Sequence, residues 1–232
     1  MGKSIAIIPA RGGSKRIPKK NINLFLGKPI IAYSIQAAID SNLFDEIMVS
    51  TDSLEIAEIA KEYGANVPFL RSEKNADDNA TTFSVLKEVL SMYQGFTYAA
   101  CIYPTAPLIS VEKLKEAKKR LKETSFDSVF TTVKYGHPIQ RALHVDETTG
   151  RVEMIKDENL NLRSQDLTDT YHDAGQFYFF KIDPIMHANR LWTVNSGGLI
   201  LDELEAQDID TATDWKLAEL KYKLRNEVSK QV

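Results

Sequence analysis

An unbroken apolar run from Ser4 to Ala10 stops abruptly at a loop crowded with Gly, Ser, Lys and Arg. A strand that is apolar on both faces has to be covered on both, which is the requirement of a parallel strand inside an α/β sheet. The rest of the first half repeats the theme. Pro29 to Ile39 has helical spacing, and Glu46 to Thr51 reads as a second buried strand. Ser53 to Tyr63 predicts a helix capped by Ser53 or Asp52 and closed by Gly64. Thr82 to Tyr93 predicts another helix, Tyr98 to Tyr103 a strand, Val111 to Glu123 an amphipathic helix and Ser128 to Val133 a β-branched strand. Alternation in this order predicts an α/β fold of three layers: a mostly parallel sheet, helices on both faces and right-handed crossovers.

The regularity breaks between Lys134 and Thr170. Short alternating pieces, Ala142 to Asp146 and Arg151 to Ile155, flank the turn signal Glu147-Thr148-Thr149-Gly150. This segment, 134–170, predicts an inserted β arm on a single domain spanning 1–232, and an arm of that kind is expected to pack on a second subunit in a homodimer. Gln176 to Ile182 resumes a buried strand, in which Phe177, Tyr178, Phe179 and Phe180 read as core aromatics. Asp214 to Arg225 predicts a closing helix.

Composition narrows the class. With 43% hydrophobic and 26% charged residues, 11 Gly and 8 Pro, collagenous and disordered readings are excluded. One cysteine permits no internal disulfide, and four scattered histidines do not form a zinc finger. No apolar run approaches the roughly 18 residues needed to span a bilayer. Met1-Gly2-Lys3-Ser4 leads into the first strand without a cleavage-type segment, and Ala6 breaks the myristoylation pattern. A soluble, cytoplasmic protein without membrane partners is the expectation.

The net charge of −3 conceals an asymmetry. The first 39 residues carry seven Lys or Arg and no Asp or Glu, so an anion is expected near the N-terminus. A nucleic acid is not: a polyanion binder spreads its basic stripe over a face of a basic protein. A small, highly charged ligand fits better.

The densest part of that charge lies in Pro9-Ala10-Arg11-Gly12-Gly13-Ser14-Lys15-Arg16-Ile17-Pro18-Lys19-Lys20-Asn21. Loops after strands are where open parallel sheets bind ligands. Gly12 and Gly13 free the backbone to turn N–H groups toward an anion, while Arg11, Lys15 and Lys20 supply cations, so a polyphosphate is the predicted ligand. Two familiar phosphate motifs fail. Gly27-Lys28 is preceded by Ile22 at the position where the ATPase loop needs glycine, and is followed by Pro29. Ser14 stands where the dinucleotide fingerprint needs its second spaced glycine.

The loop resembles the signature of the CMP-sialic acid synthetase family, the cytidylyltransferases of nonulosonic acids. The resemblance continues in order through Val49-Ser50-Thr51-Asp52, Phe69-Leu70-Arg71, Ala76-Asp77-Asp78, Pro104-Thr105-Ala106-Pro107-Leu108 and Asp208-Ile209-Asp210-Thr211. Tyr103 and Tyr171-His172-Asp173-Ala174-Gly175-Gln176-Phe177-Tyr178 resemble the pseudaminic acid branch. Several sialic acid enzymes show Gln in place of Tyr103 and Arg-Pro-Asn-Gly in place of His172 to Gly175. The resemblance implies a Rossmann-like, GT-A-like nucleotidyltransferase fold. It implies transfer of CMP from CTP to a nine-carbon α-keto acid sugar, with pyrophosphate released. Pseudaminic acid is the expected sugar; legionaminic acid, Neu5Ac and Kdo are the alternatives, and a non-catalytic nucleotide-binding regulator is the reading from another class.

Residues 202–214 hold six acids and no base. Asp208 and Asp210 are two apart, so in an extended segment their carboxylates project to one side, where hard oxygens share a Mg²⁺; the resemblance assigns metal to the same pair. The plainer reading, acids favouring the next helix with Asp214 or Thr213 as cap, suits Glu203 and Glu205 better. Arg11, Lys15, Lys20, Asp208 and Asp210 are thus the expected catalytic set. In the resembling family Ala10 to Ser14, Lys20, Asn21, Arg71 and Thr82 fall around the nucleotide. Arg71 also reads as an ion-pair partner of Glu73 or Asp77, and Thr82 as a helix cap. Tyr103, Thr105, His172 and Asp173 are the expected sugar contacts, with Tyr103 also readable as core. Arg163 and Gln165, in the arm, are either contacts to the sugar carboxylate or ordinary surface.

Overall fold

The computed structural model describes residues 2–228. Its elements run β1 (Lys3–Pro9), β2 (Leu24–Phe25), β3 (Lys28–Pro29), α1 (Ile30–Ser41), β4 (Glu46–Ser50), α2 (Leu54–Glu62), α3 (Glu73–Ala76), α4 (Thr82–Met92) and β5 (Phe96–Ile102). They continue with α5 (Val111–Glu123), β6 (Ser128–Lys134), β7 (Leu143–Val145), β8 (Val152–Met154), β9 (Tyr171–Lys181), α6 (Ile182–Ala188), β10 (Ser196–Leu201) and α7 (Ala212–Val228). Six strands form one sheet in the order β10-β6-β9-β5-β1-β4. β4, β1 and β5 are mutually parallel, as are β10 and β6, and β9 runs antiparallel between β5 and β6. The mostly parallel expectation therefore holds, with one reversed strand.

The two-residue period of β1 divides the core. Ala6, Ile8 and Ala10 point to a layer built by Ile31 and Ile35 of α1, Ile56 and Ala60 of α2, and Leu114 and Leu121 of α5. Ile5 and Ile7 point to the opposite layer, with Leu86 and Val89 of α4 and Ile185 of α6. The aromatics of β9 are buried as expected, and Phe179 stacks on Phe44 at 5.5 Å. A third cluster gathers Ile17, Phe25, Ile30, Ile209, Trp215 and Ala218, so α7 packs on the chain that leaves the glycine loop.

Several boundaries differ from the sequence expectation. The cap of α4 is Thr81, whose hydroxyl accepts from the Ser84 N–H at 3.1 Å; Thr82 is the first helical residue and its side chain is not the cap. Ser53 caps α2. α7 begins at Ala212, and the turn before it is closed by Thr211 and Asp214: the Asp214 carboxylate accepts from Thr211 N at 2.7 Å, and Thr211 Oγ1 accepts from Asp214 N at 3.2 Å. Thr213 takes no part in those bonds. The strand expected from Gln176 starts five residues earlier, at Tyr171. β10, absent from the sequence reading, carries Gly197 because a Cβ there would fall 2.6 Å from the Phe126 ring. Two adjacent glycines lower strand propensity and so disguise an edge strand that packing requires.

The parallel strands all point their carboxyl ends to one edge. β9, being reversed, brings its first residues to that same edge, and the arm joins Lys134 to Tyr171 there, where the two residues pair. Within the arm β7 and β8 form the expected hairpin. Among the described residues no helix is long and apolar enough to cross a membrane.

Candidate active site

At the carboxyl edge, residues from the glycine loop, from the stretch between β4 and α4 and from the end of β5 enclose a cleft of about 310 Å³. Arg11, Ser14, Lys15, Lys20, Asn21, Arg71, Thr82, Tyr103 and Thr105 all line it. The side chains expected around one charged ligand, drawn from positions 11 to 105, are thus brought together by the ends of β1 and β5.

The backbone of the glycine loop differs from the expected anion cradle. Ala10 is buried and donates its N–H to the Ser50 carbonyl at 2.9 Å. Gly12 N–H donates to Asp52 Oδ1 at 2.8 Å, and Ser14 N–H to the Gly12 carbonyl at 3.0 Å. Neither Gly12 nor Gly13 has positive φ. Glycine is needed at position 12 for close approach, since a Cβ there would lie 3.1 Å from that of Ser53; Gly13 faces open space. Ala10, Gly12 and Gly13 are not among the residues lining the cleft, which Arg11, Ser14, Lys15, Arg16 and Lys20 of the loop do line. Asn21, buried, fixes the first of them by donating from Nδ2 to the Arg11 carbonyl at 2.8 Å.

Arg71 is buried at the back of the cleft. Its Nη2 donates to the Ser50 carbonyl at 2.5 Å and its Nε to Ser50 Oγ at 3.1 Å, binding the end of β4. It pairs with neither Glu73 nor Asp77. Thr82, released from capping, lines the cleft with Tyr103, whose phenol pKa is raised chiefly by burial.

The basic loop and the acidic strip meet. Lys20 Nζ donates to the Ile209 carbonyl at 2.7 Å and lies 3.4 Å from Asp210 Oδ1; Arg16 Nη2 is 2.7 Å from the same oxygen. Ile209 is buried between exposed Asp208 and half-buried Asp210, so the two carboxylates do share one side of an extended segment. Their neighbours differ. Asp210 is neutralised by two cations, whereas Asp208 has no ion pair among the described residues and faces a second hollow of about 370 Å³ with Lys20, Tyr103, Thr105, Asp173 and Gly175.

That hollow owes its shape to a bulge. Phe130 pairs with Tyr178 and Thr132 with Asp173, so two steps along β6 match five along β9. Gly175 takes a φ of 63° inside the bulge, and Gln176 Nε2 ties it to the Glu205 carbonyl. Bulges re-aim side chains beside functional sites; this one turns Asp173 toward Asp208. The Asp173 carboxylate accepts from Gly175 N–H at 2.9 Å and from the Tyr178 hydroxyl. Although the residue is exposed at the hollow's mouth, enough protein surrounds the carboxyl that desolvation raises its pKa, and the Asp208 charge adds to the rise. His172 faces a third, adjoining hollow with Asp173, Gln207, Asp208 and Lys221. A carbonyl can only accept, so the 2.8 Å contact to the Asp173 carbonyl puts the proton of the His172 ring on Nδ1. Arg163 and Gln165 line none of these hollows. Arg163 pairs with Asp166 at 2.7 Å, and both positions are exposed on the arm. The supporting roles of Asp52, Gly175 and Tyr178, and the position of Asp78 across from the basic loop, escape the sequence reading. The only signal for Asp78 is its place in a pair of acids within the family-like string.

An open sheet with a basic loop at its carboxyl edge, facing acids on a neighbouring segment, defines a nucleotidyltransferase-like α/β protein. Comparison with known proteins is specific: the profile described as Cytidylyltransferase matches residues 5–201, and the chain belongs to that family. Over 97% of its length the chain is 39% identical to the pseudaminic acid cytidylyltransferase of Campylobacter jejuni subsp. jejuni, covering 98% of that protein. It is 33% identical to the CMP-N,N'-diacetyllegionaminic acid synthase of Legionella pneumophila subsp. pneumophila over 96% of this chain and 97% of the relative. A solved structure of CMP:2-keto-3-deoxy-manno-octonic acid synthetase complexed with CTP superposes with a TM-score of 0.69 at 15% identity, over 97% of this chain and 99% of that one, and bears out the fold.

Because Arg71 satisfies two buried oxygens of Ser50, Arg71→Ala is expected to destabilise the protein by about 2–3 kcal/mol, measured by urea titration, in addition to any loss of ligand affinity.

Proposed function

We propose that this cytidylyltransferase moves CMP from CTP to the anomeric hydroxyl of a nonulosonic acid, with pseudaminic acid as the sugar, and releases pyrophosphate. The observation that carries the reading is the contact of the two oppositely charged walls: Lys20 and Arg16 reach Ile209 and Asp210 while Arg11 and Lys15 edge the same cleft. Pseudaminic acid is favoured over legionaminic acid, Neu5Ac and Kdo by the full-length similarity to the Campylobacter jejuni enzyme and by Tyr103 with His172-Asp173-Ala174-Gly175.

In this mechanism Arg11, Lys15 and Lys20 face the charge that grows on the departing pyrophosphate, where a fixed cation acts more strongly than in water. Asn21, Arg71 and Thr82 hold the nucleotide end. Tyr103, Thr105 and Asp173 border the hollow assigned to the sugar and His172 the one adjoining it, and their phenol, hydroxyl, carboxylate and ring nitrogen suit its hydroxyl and amide groups. Asp208 and Asp210 are the residues that would hold Mg²⁺. The donor set fits: Asp208, a hard carboxylate without a cation of its own, lines the hollow, and Asp210 stands two residues further on, held by Arg16 and Lys20. Among the described residues no group of three or more His, Cys, Asp and Glu is gathered for a metal, and Mg²⁺ habitually uses one or two carboxylates with substrate oxygens completing its shell. When bound, such an ion supplies electrostatic activation of the attacking hydroxyl and of the phosphate.

The arm supports a homodimer. Leu143, Val145, Val152, Ile155, Leu160 and Leu162 are all exposed on it, and a two-stranded hairpin is marginal alone. A second copy covering this face would bring Arg163 and Gln165 close to a neighbouring site. Sedimentation at micromolar concentration is expected to give twice the chain mass; a monomer would remove the dimer.

The reaction is tested by incubating the protein with CTP, Mg²⁺ and, separately, pseudaminic, legionaminic and N-acetylneuraminic acids, reading CMP-sugars by mass. CMP-pseudaminic acid is the expected main product; CTP binding without pyrophosphate release from any sugar would favour a regulator. Lys20→Ala is expected to lower turnover at saturating CTP by about 100-fold while costing about 1 kcal/mol of stability. An unchanged turnover would remove Lys20 from the chemistry.

A further inference from the structure

Asp78 is not needed for anything described so far, yet it makes two contacts that matter to the cleft. It lies between α3 and α4, in a loop fixed by its neighbour: Asp77 Oδ1 accepts from the N–H groups of Asn79 and Ala80, both at 2.8 Å. The two carboxylate oxygens of Asp78 go to different cations. Oδ1 accepts from Arg11 Nη1 at 2.5 Å, and Oδ2 accepts from Lys15 Nζ. Arg11, Lys15 and Asp78 all line the cleft, so the bridge spans it from the loop after β1 to the loop before α4. The hydrogen bonds from Lys15 and then Arg11 hold the carboxyl below its usual pKa, so it is an anion at neutral pH.

Geometrically, a carboxylate that takes one donor from each of two cations imitates two oxygens of a phosphate group. Resting on the reading of this cleft as the triphosphate site, we propose that Asp78 is a positioning residue that stands in for phosphate. It bridges Arg11 and Lys15 in the free protein, is exchanged for phosphate oxygens when CTP binds, and returns as pyrophosphate leaves. The bridge keeps two long side chains converged, while its charge competes with the ligand. All three groups are partly or fully open to water, so the competition is modest and reversible. Such a group weakens triphosphate and pyrophosphate together, and favours departure of the product that would otherwise stay on the cations.

Asp78→Asn retains the shape and removes the charge. Calorimetric titration of wild type and variant with CTP, pyrophosphate and CMP, all without sugar, separates the possibilities. CTP and pyrophosphate are each expected to bind about threefold to tenfold more tightly to the variant, CMP with unchanged affinity, and the gain is expected to vanish in an Arg11→Ala/Lys15→Ala background. Unchanged or weaker binding of CTP and pyrophosphate overturns the proposal. An equal change for CMP also overturns it, because that marks a reshaped cleft. Wild type that binds neither CTP nor pyrophosphate overturns both this proposal and the triphosphate reading beneath it. If Asp78→Asn does not fold, Asp78→Ser is titrated in its place with the same criteria.

Discussion

A hydrogen bond from the basic loop anchors the closure of the site. Lys20 Nζ reaches the Ile209 carbonyl across 189 residues of sequence, joining the loop after the first strand to the segment before the last helix. Its partner is buried. Ile209 is fully buried with Ile17, Phe25 and Trp215, so the acidic wall stands on a hydrophobic cluster that includes a residue of the basic loop itself. Burying one isoleucine sets the direction of its two neighbours, and Asp208 and Asp210 emerge on the same side. Charge attraction between the walls adds to an arrangement that apolar packing has already fixed, which is the order of magnitudes expected where the ion pairs are largely exposed.

The opposite side of the site depends on backbone geometry. The bulge in β9, with Gly175 at positive φ, shifts the register at which Asp173 meets Thr132, and the Tyr178 hydroxyl and Gly175 N–H secure its carboxylate. Tyr178 is held in turn by stacking on Phe130 at 5.2 Å. Position in the hollow is thus transmitted from the aromatic core through one phenol, and the Glu205 carbonyl, held by Gln176, links the bulge to the strip that carries Asp208.

Much of this was legible beforehand because the signals were local or periodic. The double-faced apolar runs of β1, β4, β5 and β6 announced a covered parallel sheet, and the cations at 11, 15 and 20 announced a basic cleft wall. What stayed hidden was what needs a partner far along the chain. The reversal of β9 depends on which strands flank it, and β10 is a strand only because Phe126 demands glycine at 197. Gly12 looked like an anion donor because the sequence does not place Asp52 beside it. Thr81 and Thr82 are indistinguishable as caps until the helix start is known. The tie from Arg71 to the two oxygens of Ser50 was hidden because they lie 21 residues back.

Reversal of β9 has one more consequence. Lys134 and Tyr171, the two ends of the arm, are partners in the ladder, and Tyr135 N–H donates to the Thr170 carbonyl at 3.0 Å. An excursion whose start and finish are already clamped together can change length at small entropic cost, since closure grows only with the logarithm of loop size. Sequence drift between 136 and 169 is therefore nearly invisible to the sheet from whose carboxyl edge the arm departs. In this architecture the arm can change without renegotiating the stability of the scaffold.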